Sequence, residues 1–387
     1  MPAPHRDAKA AARATIERDR DTLVALSHRI HAHPELKFEE EQSSAWTAGA
    51  LSDAGLAVDM GICALPTAFE CRVGDGPLHL ALCAEYDALP AIGHACGHNI
   101  IAASSVGAAL ALAPLVDELG ITLHVLGTPA EEGGGGKIFM LERGAFDGVH
   151  AAMMVHPTPS DDLTPRVTAV AHMHVEYTGR ESHAAIAPEL GINAADAFTV
   201  AQVAIGLLRQ HLRRTDQVHG VVTRGGDAAN VVPAHTEGLW MARATTLDEL
   251  SSLRPRVEQC FEAGALATGA SLRITDVSPP YSHMEHDPDL VELYRANAAA
   301  IGRPDSHDGA STFSTDMGNV SLAMPSIHPC IAIETNGAVN HQPEFAAAAI
   351  NASADRAVAE AALALAWTAI DAATGPLRAR LLEASER

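Results

Sequence analysis

The 387 residues predict an α/β fold: a first domain with a mostly parallel central sheet flanked by helices, plus an inserted ferredoxin-like α+β domain. Three observations carry this. Short apolar runs alternate with helical segments between residues 78 and 155, the pattern of a largely parallel sheet. A different order, β-α-β-β-α-β, fills the middle of the chain. The strand–helix pattern then resumes towards the C-terminus. At roughly 100–200 residues per domain, the length suits two or three domains. The expected boundaries are 1–165 and 281–387 for a discontinuous first domain and 166–280 for the insert.

The elements follow in order. Residues 8–31 read as a helix, with Leu23, Leu26 and Ile30 at helical spacing, ended by His31-Ala32-His33-Pro34. A second helix over 39–54 stops at Gly55. Residues 78–83 form a strand, 100–112 a helix and 121–126 a strand. A short helix over 137–143 stops at Gly144, and 151–155 is another strand. In the insert, 167–177 alternates as a strand and 194–212 has helical periodicity. Two strands, 218–223 and 238–244, flank a loop containing Gly, Asn and Pro. Residues 247–267 are helical with a break at Pro255, and 271–277 is strand-like. Residues 330–333 form the last strand, and 345–372 one long Ala-rich helix.

Composition excludes several classes. Apolar residues at 47% and charged residues at 19% exclude disorder. Twenty-six Lys+Arg against 48 Asp+Glu give a net charge of −22, which argues against nucleic acid and anionic membrane surfaces as partners. Six cysteines without disulfide-framework spacing point to a reducing, cytoplasmic setting. The N-terminal segment has no apolar core of the secretory kind. The most apolar stretch, 100–116, contains Ser104, Ser105, Gly107 and Pro114 and falls short of the roughly 20 residues that span a bilayer. It reads as a buried helix.

Chemistry collects at strand ends. The strand over 78–83 is followed by Glu85-Tyr86-Asp87, then by His94-Ala95-Cys96-Gly97-His98. The strand over 121–126 is followed by Glu131-Glu132 and four glycines. His156 follows the strand over 151–155, and Glu334 and Asn340-His341 follow the last strand. Ligands of open parallel sheets bind beyond the carboxyl ends of the strands. Asp87, Cys96, His98, Glu131, Glu132, His156 and His341 therefore form a convergent set. Thiolate, imidazole and carboxylate suit a divalent transition metal such as zinc or manganese. The set exceeds the needs of one tetrahedral ion and suits two ions about 3.5–4 Å apart. Adjacent Glu131 and Glu132 point in different directions on an extended backbone, so one can hold metal while the other faces water. Asp87 suits the orientation of a ligand such as His98.

Other residues of the same types read as structural. Cys63, Cys83 and Cys260 read as small buried hydrophobes. His124, His172 and His174 lie inside strands, and the His31/His33 pair ends a helix. Glu131 at the first glycine position rules out a phosphate-binding P-loop, and neither G-x-S-x-G nor H-E-x-x-H is present.

The runs from Glu85 (EYDALP), His94 (HACGHN), Gly127 (GTPAEEGGGGK) and Ser314 (STDMGNVS) resemble those of the dinuclear-metal amidohydrolases. This aminoacylase and peptidase family includes hippurate hydrolases, auxin-conjugate hydrolases and p-aminobenzoyl-glutamate hydrolases. His31-Ala-His-Pro-Glu-Leu and Asn340-His-Gln-Pro-Glu-Phe match as well, so the resemblance spans about residues 22–370. It implies two divalent ions per subunit, zinc or manganese, with cobalt or nickel also suited. Cys96 would bridge them, with His98, Glu132, His156 and His341 completing the shells. Glu131 would be the general base, and Asp87 would support a ligand. The insert would be a lid that forms a homodimer. Its His183 would steady the oxyanion in a neighbouring active site, and Asn230 and Arg243 would hold the substrate carboxylate. One departure stands out: Glu85 occupies the place where many distant relatives have a metal-binding His.

The implied activity is hydrolysis of an N-acyl amino acid or a p-aminobenzoyl-glutamate-like conjugate by a hydroxide that bridges the metals, with Glu131 taking the proton. A dipeptidase acting on free-amine substrates such as β-alanyl dipeptides is the alternative within enzymes. A metal- or amino-acid-binding protein without turnover is the alternative outside them.

Overall fold

The computed structural model describes residues 4–306 and 312–384, so the outer limits expected for the first domain, residues 1 and 387, lie outside the described residues. The chain forms two compact units: one takes in the chain up to Arg166 and from Met284 onwards, the other Val167–His283.

The first unit is built on a six-stranded sheet. Its order is Val58–Met60, Phe69–Val73, Ile121–Gly127, Leu78–Ala84, Ala151–Met153, Ser326–Ile327. The last four strands are mutually parallel and the first two are antiparallel. The two central strands are apolar and buried on both faces, which calls for helices on both sides. Alternation along them sorts the core. Leu78, Leu80, Leu82, Leu123 and Val125 pack with the helices Pro4–His31, His98–Leu112 and Ala352–Thr374. Ala81, Cys83 and Leu126 pack on the opposite face with Met140, Phe146, Met317 and Val320. The parallel register sets Ala84 against Gly127, so the carboxyl ends of these strands are level.

Four expectations are corrected. The strand near residue 330, Cys330–Ala332, does not join the main sheet and pairs in parallel with His156–Thr158. The long C-terminal helix is two, Pro343–Ala348 and Ala352–Thr374. Asn351 makes the break: its side-chain oxygen accepts from the N–H groups of Ser353 and Ala354 at 2.8 and 3.0 Å and caps the second helix. The helix Leu247–Thr268 is unbroken at Pro255, because buried Leu250, Leu253, Val257 and Phe261 hold one face across it. The apolar helical run near residue 100 extends over His98–Leu119, long enough to cross a membrane by length and composition, as does Ala352–Thr374. Both are core helices with most of their residues buried, so burial identifies them, not the short length expected from the sequence.

The second unit is an antiparallel sheet in the order Ser271–Asp276, Ala169–Thr178, His235–Ala244, Gln217–Arg224. The helices Ala194–Leu208 and Leu247–Thr268 pack together, and Tyr177, Phe198, Trp240 and Phe261 fill the core between helices and sheet. Along the chain this is the ferredoxin-like β-α-β-β-α-β order.

Candidate metal centre

Each ligand-bearing segment is fixed by its own local device. Gly97 precedes the helix His98–Leu112 with φ +76°, and a Cβ there would lie 2.5 Å from Pro157 Cγ. Only glycine allows the turn that sets Cys96 beside His98. After Gly127 the chain loops back through Ala130 (φ +60°) and Gly133 (φ +73°). The N–H of Ala130 donates to Glu40 Oε1 at 2.8 Å, so buried Glu40 anchors the loop that carries Glu131 and Glu132. At Gly136 a Cβ would sit 1.8 Å from the carbonyl oxygen of Pro129, so no side chain fits. His341, at φ +70°, is tied through its N–H to Ala95 O at 2.9 Å.

Asp87 holds two neighbours at once. Its Oδ1 lies 2.9 Å from His98 Nδ1, and its Oδ2 accepts the N–H of Glu132 at 2.8 Å. His98 Nε2 is thereby aimed at carboxylates: Glu85 Oε2 at 3.6 Å, Glu131 Oε2 at 3.9 Å and Glu132 Oε1 at 4.0 Å. His156 Nδ1 donates to Pro157 O at 2.9 Å, which leaves its Nε2 lone pair for a ligand bond. His341 Nε2 lies 3.6 Å from Glu132 Oε1.

Three groups of donor atoms lie within 4.8 Å of one another: Cys96, His98 and His156; Cys96, Glu132 and His341; His98, Glu131 and Glu132. Cys96, His98 and Glu132 each belong to two of the groups, so the donors form one continuous cluster. His98 Nε2 and Glu132 Oε1 are buried and make no hydrogen bond among the described residues. Buried polar atoms of that kind need a partner, and a divalent cation among thiol, imidazole and carboxylate donors satisfies them. The residues fit two metal ions.

The electrostatics of the protein alone divide the two glutamates. Burial, then the charges of Glu132 and Glu85, hold the Glu131 carboxyl well above the usual carboxylate range. Burial also pushes Glu132 upwards, yet the nearby His341 ring and the charge of His98 carry it down to about 2. Burial, followed by Glu132, raises the Cys96 thiol far above its ordinary value. Burial, with the nearby charge of His98, brings His156 down to about 3.

Several residues of this region escaped the sequence reading. Glu40 is one: it accepts from Phe38 N, Ala130 N and Thr67 Oγ1. Lys137 is fully buried, and its ammonium donates to Glu85 and to Asp316. His328 is fully buried with its ring centroid 5.5 Å from that of His156. The only signal available was the position of Glu40, Lys137 and Asp316 within or beside the motif runs. The histidines read as structural have structural partners: His124 with Glu70, His31 with Ala346 O, His172 with Ser278 and His174 with Glu237.

Within the second unit, His183 and Asn230 are brought together. Ala184 N donates to Asn230 O at 3.0 Å, and His183 forms a bridge with Val231. Arg243 is not with them. It stands opposite Val170, eight residues along its strand from His235, the residue that faces Thr178 at the His183 end. At about 3.3 Å per residue the strand rises about 26 Å between His235 and Arg243. Arg243 Nε lies 3.2 Å from His219 Nε2.

An α/β unit with thiol, imidazole and carboxylate donors converging at its strand ends defines a candidate metalloenzyme centre. The chain belongs to peptidase family M20/M25/M40, whose model matches residues 81–363. It is 36% identical to the Xaa-Arg dipeptidase of Mus musculus over 92% of this chain and 86% of that protein. It is 34% identical to one of the subunits of the p-aminobenzoyl-glutamate hydrolase of Escherichia coli, over 65% of this chain and 57% of that protein. Among solved structures, a dinuclear metal-binding M20 peptidase of Bacillus subtilis has the same fold, with TM-score 0.68 and 21% identity over 92% of this chain and 98% of that one. So does an aminobenzoyl-glutamate utilization protein of Klebsiella pneumoniae, with TM-score 0.73 and 19% identity over 92% and 97%.

Proposed function

We propose that this chain is a dinuclear amidohydrolase that cleaves the amide bond of a small dipeptide or N-acyl amino acid, with Glu131 as general base. The observation that carries the reading is the pair of donor groups sharing Cys96, with Glu131 in the third group beside them. Cys96, His98 and His156 would hold one ion, and Cys96, Glu132 and His341 the other. Zinc or manganese suits this set, and cobalt or nickel would also bind. When bound, the ions lower the pKa of water and polarise the scissile carbonyl.

The remaining steps belong to the chain. Glu131 takes the proton of the attacking water and passes it to the leaving amine. Asp87 fixes the ring of His98 and the backbone of Glu132, so one proposed ligand of each ion is held by the same carboxylate. His183 donates to the developing oxyanion, worth on the order of 3–4 kcal/mol for a well-placed donor. Asn230 and Arg243 bind the substrate carboxylate, and the eight-residue run of strand from His235 to Arg243 supports their coming from different subunits if both act on one substrate. A homodimer through the second unit supplies both. Val203 (60% exposed) and Leu207 (59%) on its helix and Val221 (57%) on its edge strand support such an interface. Six unbridged cysteines support a reducing, cytoplasmic setting.

Likeness over nearly the whole chain to the Xaa-Arg dipeptidase favours a dipeptide with a free amine. The run Glu85-Tyr86-Asp87 and the likeness to p-aminobenzoyl-glutamate hydrolase favour a blocked, N-acyl substrate as the second reading. The test is a panel offered to the zinc- and manganese-loaded protein: Xaa-Arg and β-alanyl dipeptides, N-acetyl and N-benzoyl amino acids, indole-acetyl-amino acids and p-aminobenzoyl-glutamate. Chelator-sensitive amine release from the dipeptides above all others is the expected result. Preference for blocked substrates selects the second reading. Binding without turnover, with two metals present, would convert the chain into a binding protein.

A further inference from the structure

A second charged cluster adjoins the metal centre and has no part in the mechanism above. Lys137 follows the glycine run in the first turn of the helix Gly136–Glu142 and is completely buried. A buried ammonium is costly unless paired, and Lys137 is paired twice. It donates to Glu85 Oε1 and, at 2.8 Å, to Asp316 Oδ1. Its backbone N–H also donates to Asp316 Oδ2 at 2.9 Å. Three segments are thereby tied: the end of the strand Leu78–Ala84, the start of the helix after the Glu131–Glu132 loop, and the residue before the helix Met317–Ala323.

Only one oxygen of Glu85 is engaged. Oε2 is buried, makes no hydrogen bond among the described residues and lies 3.6 Å from His98 Nε2. Two donors on one tetrahedral ion, at roughly 2.1 Å from it, stand about 3.4 Å apart. Glu85 is thus almost near enough to His98 to share its ion. Even so, it belongs to none of the three donor groups. A carboxylate outside the donor groups, with one oxygen held by an ammonium, is restrained from coordinating. Catalytic ions need a position left open for water or substrate, and one more carboxylate would fill it.

We infer that Lys137, braced by Asp316, is a positioning residue that holds Glu85 beside the coordination shell and out of it. Glu85 supplies charge to the centre and no ligand bond. The inference rests on the dinuclear reading and adds to it a reason for the Lys137–Glu85 pair.

The test loads cobalt(II) into the full-length wild type, Glu85→Gln, Lys137→Met and the double variant. It reads bound cobalt per chain, the visible absorption spectrum and cobalt affinity by chelator competition. Glu85→Gln is expected to keep the wild-type cobalt content and spectrum. Lys137→Met frees Glu85 to coordinate: the spectrum shifts, cobalt is held about tenfold or more tighter, and turnover falls by about 10–100-fold. Adding Glu85→Gln to Lys137→Met returns spectrum and affinity to wild type. Loss of cobalt or a changed spectrum in Glu85→Gln overturns the inference, because Glu85 would then be a ligand already. So does an unchanged spectrum in Lys137→Met, or an equal change in the double variant. If Lys137→Met does not fold, the Glu85→Gln result decides alone. A wild type that takes up no cobalt overturns the metal-centre reading itself, and the inference with it.

Discussion

Asp316 receives Lys137 twice on one carboxylate, through the backbone N–H at 2.9 Å and through the ammonium at 2.8 Å. A single buried side chain therefore fixes both the start of a helix and the charge at its base. Asp316→Ala leaves the ammonium with Glu85 alone. Removing one partner of a buried pair costs about 3–5 kcal/mol. Urea unfolding is expected to show a loss of that size, with the far-UV spectrum retained below the transition. An unchanged midpoint would mean that Glu85 alone suffices for Lys137.

Cys96 is common to two donor groups, whereas His341 belongs to one. Metal analysis of purified protein is expected to find both ions missing in Cys96→Ala and one missing in His341→Ala. The His341 side chain is 59% exposed, so the ion it would hold is expected to be the one a chelator removes first. Equal metal content in both variants would contradict a shared thiolate.

Glu131→Gln keeps the shape of the side chain and removes its capacity to carry a proton. Turnover is expected to fall by about 10²–10⁴-fold with metal content unchanged. Near-wild-type turnover would pass the role of base to another group.

Burial, followed by the charge of Asp87, raises Glu40 to about 7. The folded value lies above the unfolded one, so the folded state binds the extra proton between them. Its contribution to stability is complete below about pH 4.5 and is lost as pH rises through about 7. Glu40→Gln mimics the protonated form and is expected to flatten the pH dependence of the metal-free protein across that window. The difference from wild type amounts to roughly 3 kcal/mol at most. Parallel stability curves for the two proteins would remove Glu40 from this role.

His183 follows the strand that ends at Thr178, whereas Arg243 stands opposite Val170 near the start of that strand. If both serve one substrate, each active site draws them from different chains. Mixing inactive His183→Ala protein with inactive Arg243→Ala protein is then expected to restore activity, because one site of each mixed dimer is intact. Absence of recovery after verified subunit exchange would assign the two residues to separate tasks.

Much of this was legible in the sequence because strand ends and ligand types coincide. The alternation of apolar runs predicted the parallel sheet, and the motifs at its edge named Asp87, Cys96, His98, Glu131, Glu132, His156 and His341. What was missed depends on distant partners. Nothing local marks Lys137 as buried, since its two carboxylates stand 52 and 179 residues away. Glu40 acts on a loop 90 residues further on. The antiparallel edge strand Val58–Met60 is too short for its period to register, and only pairing with Phe69–Val73 defines it. The break at Asn351 lies within an Ala-rich run whose helical period continues on both sides, so capping alone reveals it.

The second unit begins and ends side by side: Val170 and Tyr281 exchange backbone hydrogen bonds, N to O at 3.0 Å and N to O at 2.9 Å. An inserted segment whose two ends meet behaves as a cassette. It can be excised across a short linker, exchanged for a relative's version or reopened at a new terminus without rethreading its sheet. Substitutions can then accumulate within this module while the strands of the host unit keep their own register.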